Sequence, residues 1–289
     1  MLQYGKILRK SLHHLYKTPV IYVPVLVSIL LFFGLALLIF LEGLLFIALF
    51  PSVMSGNIGI LSSFPAMSFI AFSVAIDMIV LFCIRAYAEG LQYGVFKDVV
   101  IKGKSSSKAM WSYGKGFFKR ILKVDIIIAL FEAVPVIALS LVVYLGFSMD
   151  RVVGMILAAI SILLMIAYLL ILVFFFFFVR PIIVSTAKNI SAAEIIRMSY
   201  KYSMQHAKKV IIVLLIMIAV TAAVTIILML GGIPIGIISA IIPRMGIAGA
   251  ALGTGISILY QMLSIVARFV MGVFQQIFLF SAYFAEDKN

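Results

Sequence analysis

Three ionisable side chains sit well inside apolar runs of this sequence: Asp77, Glu132 and Arg268. Each is costly in hydrocarbon, so each must be paired, protonated or placed against a cavity. Two carboxylates and a guanidinium can do one of two kinds of chemistry there. They can neutralise one another, with Arg268 against Asp77 or Glu132, as an ion pair that pins helices together. Alternatively they can line a polar intramembrane site for a proton, an ion or a lipid headgroup. Arginine keeps its charge at any working pH, so the burial of Arg268 most needs an answer. Glu42 and Asp125 fall closer to the ends of their apolar runs and are expected nearer the interfaces.

Other chemistry has little behind it. There is no His-Glu-x-x-His, Gly-x-Ser-x-Gly, P-loop or Cys-x-x-Cys pattern. His13 and His14 are neighbours and so point to different helix faces, and His206 lies far along the chain. All three read as interfacial polar residues rather than a metal set. The single cysteine, Cys83, has no partner for a disulfide or a metal. No catalytic residue, cofactor or metal is assigned.

The elements that would position these residues are membrane spans. The chain has 289 residues, 65% of them hydrophobic and 11% charged, more apolar surface than a soluble globule of this length can hide. Val20–Leu41, Val152–Val179 and Val210–Leu230 are uncharged and long enough to cross a hydrocarbon core, which takes about 20 helical residues. Six spans are expected, roughly Val20–Leu44, Phe64–Ile84, Ile121–Phe147, Val152–Val179, Val210–Leu230 and Ile256–Phe284. The first should tilt, or break near Glu42-Gly43. Gly231–Gly255, rich in glycine and proline, is expected to be an outer connection that packs on the bundle or dips into the membrane.

Orientation follows from the basic residues. Met1–Pro19 carries four, Arg85–Lys123 nine and Arg180–Lys209 six, whereas the intervening loops hold only Arg151 and Arg244. This bias places both termini and the long basic connections in the cytoplasm of a cell-membrane protein. The net charge of +13 is then a topology signal and an attraction to anionic lipid, and it calls for no nucleic-acid partner.

The basic tracts share a pattern. "KAMWSYGKGFFKRILKV" (108–124), "SAAEIIRMSYKYSMQHAKK" (191–209) and "LQYGKILRKSLHHLYK" (2–17) each place a polar stripe opposite an apolar one at helical spacing. In the first tract of the chain the expected apolar stripe is Tyr4, Leu8, Leu12 and Leu15. Ser191 and Glu194 have the spacing of a helix-capping box. Ile7/Ile195, Arg9/Arg197 and Ser11/Ser199 match, as do Ser112-Tyr113 and Ser199-Tyr200. The expectation is an all-α integral membrane protein forming a single transmembrane domain. Its six transmembrane helices form three hairpin repeats, about 1–95, 100–185 and 190–285, each preceded by a basic amphipathic interfacial helix. Candidate contacts to anionic lipid headgroups are Lys10, Lys17, Lys108, Lys115, Lys119, Arg120, Arg197, Lys201, Lys208 and Lys209.

Two tracts carry a resemblance. "AEGLQYGVFKDVVIKGKSSSKAMWSYGKGFFKRILK" and "RPIIVSTAKNISAAEIIRMSYKY" resemble an uncharacterised group of bacterial and archaeal six-span proteins. That group is similar to the membrane domain found beside some glycerophosphodiester phosphodiesterases. The resemblance implies a six-span fold; the phosphodiesterase domain itself has no counterpart here, and no catalytic residue carries over. "IPRMGIAGAALGTGIS" also resembles a segment of polysaccharide flippases. The function expected is a non-catalytic polytopic membrane protein, a scaffold or assembly factor or a lipid-interacting protein. The alternative is a transporter, channel or lipid-handling protein using Asp77, Glu132 and Arg268, with an intramembrane enzyme ranked last. Membrane lipids are the expected partners; a protein partner or a second copy is left open.

Overall fold

The computed structural model describes residues 2–51, 63–186, 190–241 and 247–285, with backbone alone for 2–3, 240 and 247–251. Nearly all the described residues are helical, and none is in a strand. In chain order the helices are α1 (Leu2–Lys17), α2 (Val23–Leu49), α3 (Phe64–Lys102), α4 (Ser107–Met149), α5 (Arg151–Phe176), α6 (Val179–Ser185), α7 (Ala192–Gln205), α8 (Ala207–Ile241) and α9 (Ile247–Phe284). Six stretches are long and apolar enough to cross a membrane: Pro19–Leu49, Phe64–Lys102, Ser107–Met149, Arg151–Ser185, Ala207–Ser239 and Leu252–Phe284. The most apolar windows of α3 and α4 contain no buried residue at all. Such surface is suited to lipid rather than water.

Helix boundaries have local causes. Ser106 and Asp150 cap α4 and α5 by accepting hydrogen bonds from Ala109 N (3.2 Å) and Val152 N (2.7 Å). Ser191 accepts from Glu194 N at 3.2 Å, the expected cap of α7. Gly103 ends α3 with φ +74°, a conformation that a side chain would oppose. Pro181 cannot donate to the carbonyl of Phe177, so α5 stops at Phe176 and α6 restarts at Val179. Ser199 Oγ donates to the Phe175 carbonyl at 2.7 Å, answering an acceptor left open by that break.

Several elements differ from expectation. The second basic tract is no separate elbow: it is the first third of α4, continuous with its span. Glu42-Gly43 does not interrupt α2; the chain instead enters that helix through a 3-10 turn at Pro19–Tyr22. Residues 231–241 are not loop but the end of α8, and 247–255 open α9, with 242–246 lying outside the described residues. Pro234 lies inside α8 without ending it, and the Tyr260 hydroxyl on α9 donates to the Leu228 carbonyl of the same helix. On α1 the buried stripe is Ile7, Ser11, His14 and Leu15, while Leu12 faces outward. The stripe is thus turned from the expected one: Leu15 is common to both, and Ile7, Ser11 and His14 are buried where Leu12 was expected, on a helix that packs on α9.

The chain divides into two compact units, one of residues 1–17 and 202–289, the other of residues 18–201. In the second, the buried core runs along the C-terminal part of α3 (Ala86 to Val100), the start of α4 (Met110, Gly114, Ile121, Val124) and α6 (Val179, Ile182, Ile183, Val184). Glycine lets α3 and α4 approach. A Cβ on Gly90 would meet the Gly114 backbone at 3.2 Å, and one on Gly94 would collide with the Tyr113 ring. Small-residue crossings of this kind are a general solution for membrane helices.

Candidate functional site

The same close crossing brings together charges that the sequence keeps far apart. Arg180, at the start of α6, reaches Asp125 of α4 (Nη1 to Oδ1, 2.5 Å) and Glu89 of α3 (Nη2 to Oε2, 3.0 Å). Arg85, one turn before Glu89, pairs with it through Nε at 3.0 Å. The Tyr93 ring lies under the Arg180 guanidinium, 5.8 Å from centroid to Cζ. Side-chain exposure is 13% for Arg180, 14% for Glu89 and 3% for Asp125, whereas Arg85 is half exposed. Asp125 Oδ2 is buried without a hydrogen bond. Two guanidiniums therefore answer two carboxylates, and formal charge balances inside the cluster.

Further cations hold α6 from its other end. Lys97 donates to the Val184 carbonyl (2.6 Å), and Arg120 donates to the carbonyls of Ile183 (2.9 Å) and Thr186 (3.3 Å) and to Thr186 Oγ1 (3.1 Å). These are the orphan acceptors of a helix C-terminus, where positive charge is also favoured by the helix dipole. Gln92 donates to Ser28 Oγ at 2.8 Å, tying α2 to α3, and the Tyr113 hydroxyl donates to Asp98, which also pairs with Lys102 at 2.7 Å. The result is a polar clamp around α6 built from α3 and α4. Paired, buried and aligned in this way, its groups position helices; none is set against a described cavity where a substrate would react.

Sequence reasoning singled out other residues. Asp77 is half-buried on α3, and its Oδ1 is buried without a partner. Glu132 on α4 and Arg268 on α9 are exposed. Asp77 and Glu132 belong to one compact unit and Arg268 to the other, and neither unit joins any two of them by a described ion pair. Among the proposed lipid contacts, Lys10, Lys17, Lys108, Lys115, Lys119, Arg197, Lys201 and Lys208 are exposed. Arg120 instead turns inward to α6, and Lys209 donates to the Tyr202 hydroxyl at 3.0 Å. The clamp itself was missed. Arg85 and Arg180 look like ordinary basic ends of spans, and Glu89 and Asp125 like ordinary polar flanks. The available signal was the spacing of Arg85 and Glu89, one helical turn apart, together with two acids placed where basic residues predominate. No protein-family model, curated protein or solved structure matches the chain.

Proposed function

We propose that this chain is a non-catalytic multi-pass protein of the cell membrane whose basic face, on the cytoplasmic side, holds anionic lipid headgroups. The observation that supports it is the division of labour among the basic residues. On α1, the start of α4 and α7, the buried residues of each helix include a large apolar one followed four positions later by a small one: Ile7 and Ser11, Met110 and Gly114, Ile195 and Ser199. Lys6, Lys17, Lys108, Lys115, Lys119, Arg197 and Lys201 stay exposed on the remaining faces, as does Lys208 at the start of α8. A helix buried on one side, with lysine on another and exposed Tyr16, Trp111 or Tyr200 beside it, suits the headgroup layer.

That recurring pair also supports three related units, each an amphipathic helix followed by a hairpin of spans. It shifts the second unit's register, setting Gly114 rather than Ser112 opposite Ser11 and Ser199. Kinship with the membrane domain found beside some glycerophosphodiester phosphodiesterases remains part of the proposal, resting on the two tracts quoted above. Native mass spectrometry of protein released from detergent tests the lipid reading. Wild type should retain phosphatidylglycerol in preference to phosphatidylcholine. Gln at Lys108, Lys115, Lys119, Arg197, Lys201 and Lys208 together should abolish that preference while leaving the fold intact. Equal retention of both lipids by wild type would sink the reading.

A further inference from the structure

The hairpin of α8 and α9, within one compact unit, carries a polar seam along otherwise apolar helices. The Ser239 and Ser257 hydroxyls bond each other at 2.7 Å, the Tyr260 hydroxyl donates to the Leu228 carbonyl, and Gln275 Nε2 donates to Thr221 Oγ1 at 2.5 Å. Ser264 and Arg268 lie between these bonds, at seven and eleven residues from Ser257, and so on the same face of α9. The bracketing pairs put Thr225 of α8, one turn from Thr221, level with Arg268. Yet the middle of the seam is unanswered. Ser264 Oγ is buried with no hydrogen-bond partner. Arg268 has no ion pair among the described residues of its unit. It cannot find one there, because α1, α8 and α9 contain no aspartate or glutamate; the unit's acidic residues, Glu286 and Asp287, follow α9.

Arg268 and Thr225 are exposed on the hairpin and Ser264 is half-buried, so a charge kept at every working pH stands on an apolar span one turn from a hydroxyl without a partner, a setting that favours a negative group. We infer that Arg268, Ser264 and Thr225 form an intramembrane site for an oxyanion, a phosphate or carboxylate group taken from a lipid headgroup or from a free solute. Arg268 supplies the fork that grips two oxygens, and Ser264 and Thr225 supply single hydroxyl donors. The fixed positive charge of Arg268, with no acid on the hairpin to offset it, disfavours a cation at the same place. This site is separate from the basic face: Lys208, the basic-face residue on α8, stands 17 positions before Thr225, about 25 Å along the helix, and the others lie on α1, α4 and α7.

The experiment is a thermal-unfolding titration in dodecyl maltoside, a detergent without phosphate. Sodium phosphate, at ionic strength held constant with chloride, and phosphatidylglycerol are titrated separately. At least one should raise the wild-type unfolding temperature saturably. Arg268→Met should weaken that response about tenfold or more and Ser264→Ala about threefold, as expected when a charged and a neutral hydrogen bond are lost. Without ligand, Arg268→Met should unfold no earlier than wild type, since it removes an uncompensated charge. A response to phosphatidylglycerol alone identifies a lipid phosphate, and one to inorganic phosphate a free oxyanion. The inference falls if neither probe acts saturably, or if Arg268→Met responds as wild type does. It falls equally if Arg268→Met is energetically coupled to Glu132→Gln or Asp77→Asn without ligand, for then the chain's own carboxylate is the partner.

Discussion

A guanidinium as buried as that of Arg180 is tolerable because Asp125 and Glu89 both reach it and Tyr93 covers its face. Breaking such a pair leaves the partner charged, buried and alone, which typically costs about 3–5 kcal/mol. Arg180→Met and Asp125→Asn should each lower the unfolding temperature in detergent, and the double variant should lose much less than the sum of the two. Strictly additive losses would show that the two do not act as a pair. His14 offers a pH test outside the spans. Burial, with Lys10 and His13 adding to it, pushes its imidazole below the ordinary value of 6.5, and its Nε2 is buried without a partner. The unfolded chain therefore binds this proton more readily than the folded one. The contribution of neutral His14 is complete above pH 6.5 and is lost as pH falls toward the lowered value. Unfolding temperatures should drop across that interval in wild type, and less steeply in His14→Phe. Little of this was legible in the residues alone beyond the one-turn spacing of Arg85 and Glu89. Asp77, Glu132 and Arg268 stand out because their neighbours are apolar, whereas Glu89, Asp125 and Arg180 become a cluster only when three separate helices meet.

Helix-scale features were more readable, because periodicity and punctuation are local. The spans and the Ser191 cap of α7 follow from apolar runs and a Ser-x-x-Glu pattern, and both appear where expected. The behaviour of proline was harder to read, since its consequence depends on what packs beside it. Pro135 lacks an N–H, so the Phe131 carbonyl four residues earlier has no helical donor. Tyr168 of α5 donates to that carbonyl at 2.8 Å, and α4 runs on uninterrupted. In α8 the carbonyl that Pro234 leaves without a helical donor is that of Leu230, and the Tyr260 hydroxyl goes instead to Leu228, so the arrangement of α4 is not repeated there. Pro181 breaks its helix instead, and Ser199 answers an acceptor that this releases. Tyr168→Phe should destabilise by about 1–2 kcal/mol in detergent unfolding. The same change should cost much less in a Pro135→Ala background, where the restored N–H serves the carbonyl; an equal loss in both would refute the account. At the α3–α4 crossing, Gly94→Ala must displace the Tyr113 ring and break its bond to Asp98. A loss of about 1–3 kcal/mol is expected, in the range for overpacking, whereas alanine at Gly116, which meets nothing within 4 Å, should be tolerated.

For the molecule as a whole, hydropathy and length gave six spans, and the helices bear that out. What sequence could not supply is which helix packs on which. α1 is joined in one compact unit with α8 and α9, more than 180 residues away, and no local pattern encodes that. α1 packs on α9, and the residue it buries completely is a small one, Ser11. The central claim is that the basic tracts face the cytoplasm, for only there would exposed lysines meet the anionic leaflet as proposed. Single cysteines placed in a Cys83→Ser background test it most directly. Ser106 caps α4, so the exposed neighbour Lys104 is the better position on the basic side, with exposed Arg151 for the opposite side. In intact cells an impermeant thiol reagent should label Arg151→Cys and leave Lys104→Cys untouched until the membrane is permeabilised. Labelling of Lys104→Cys from outside intact cells would contradict the account.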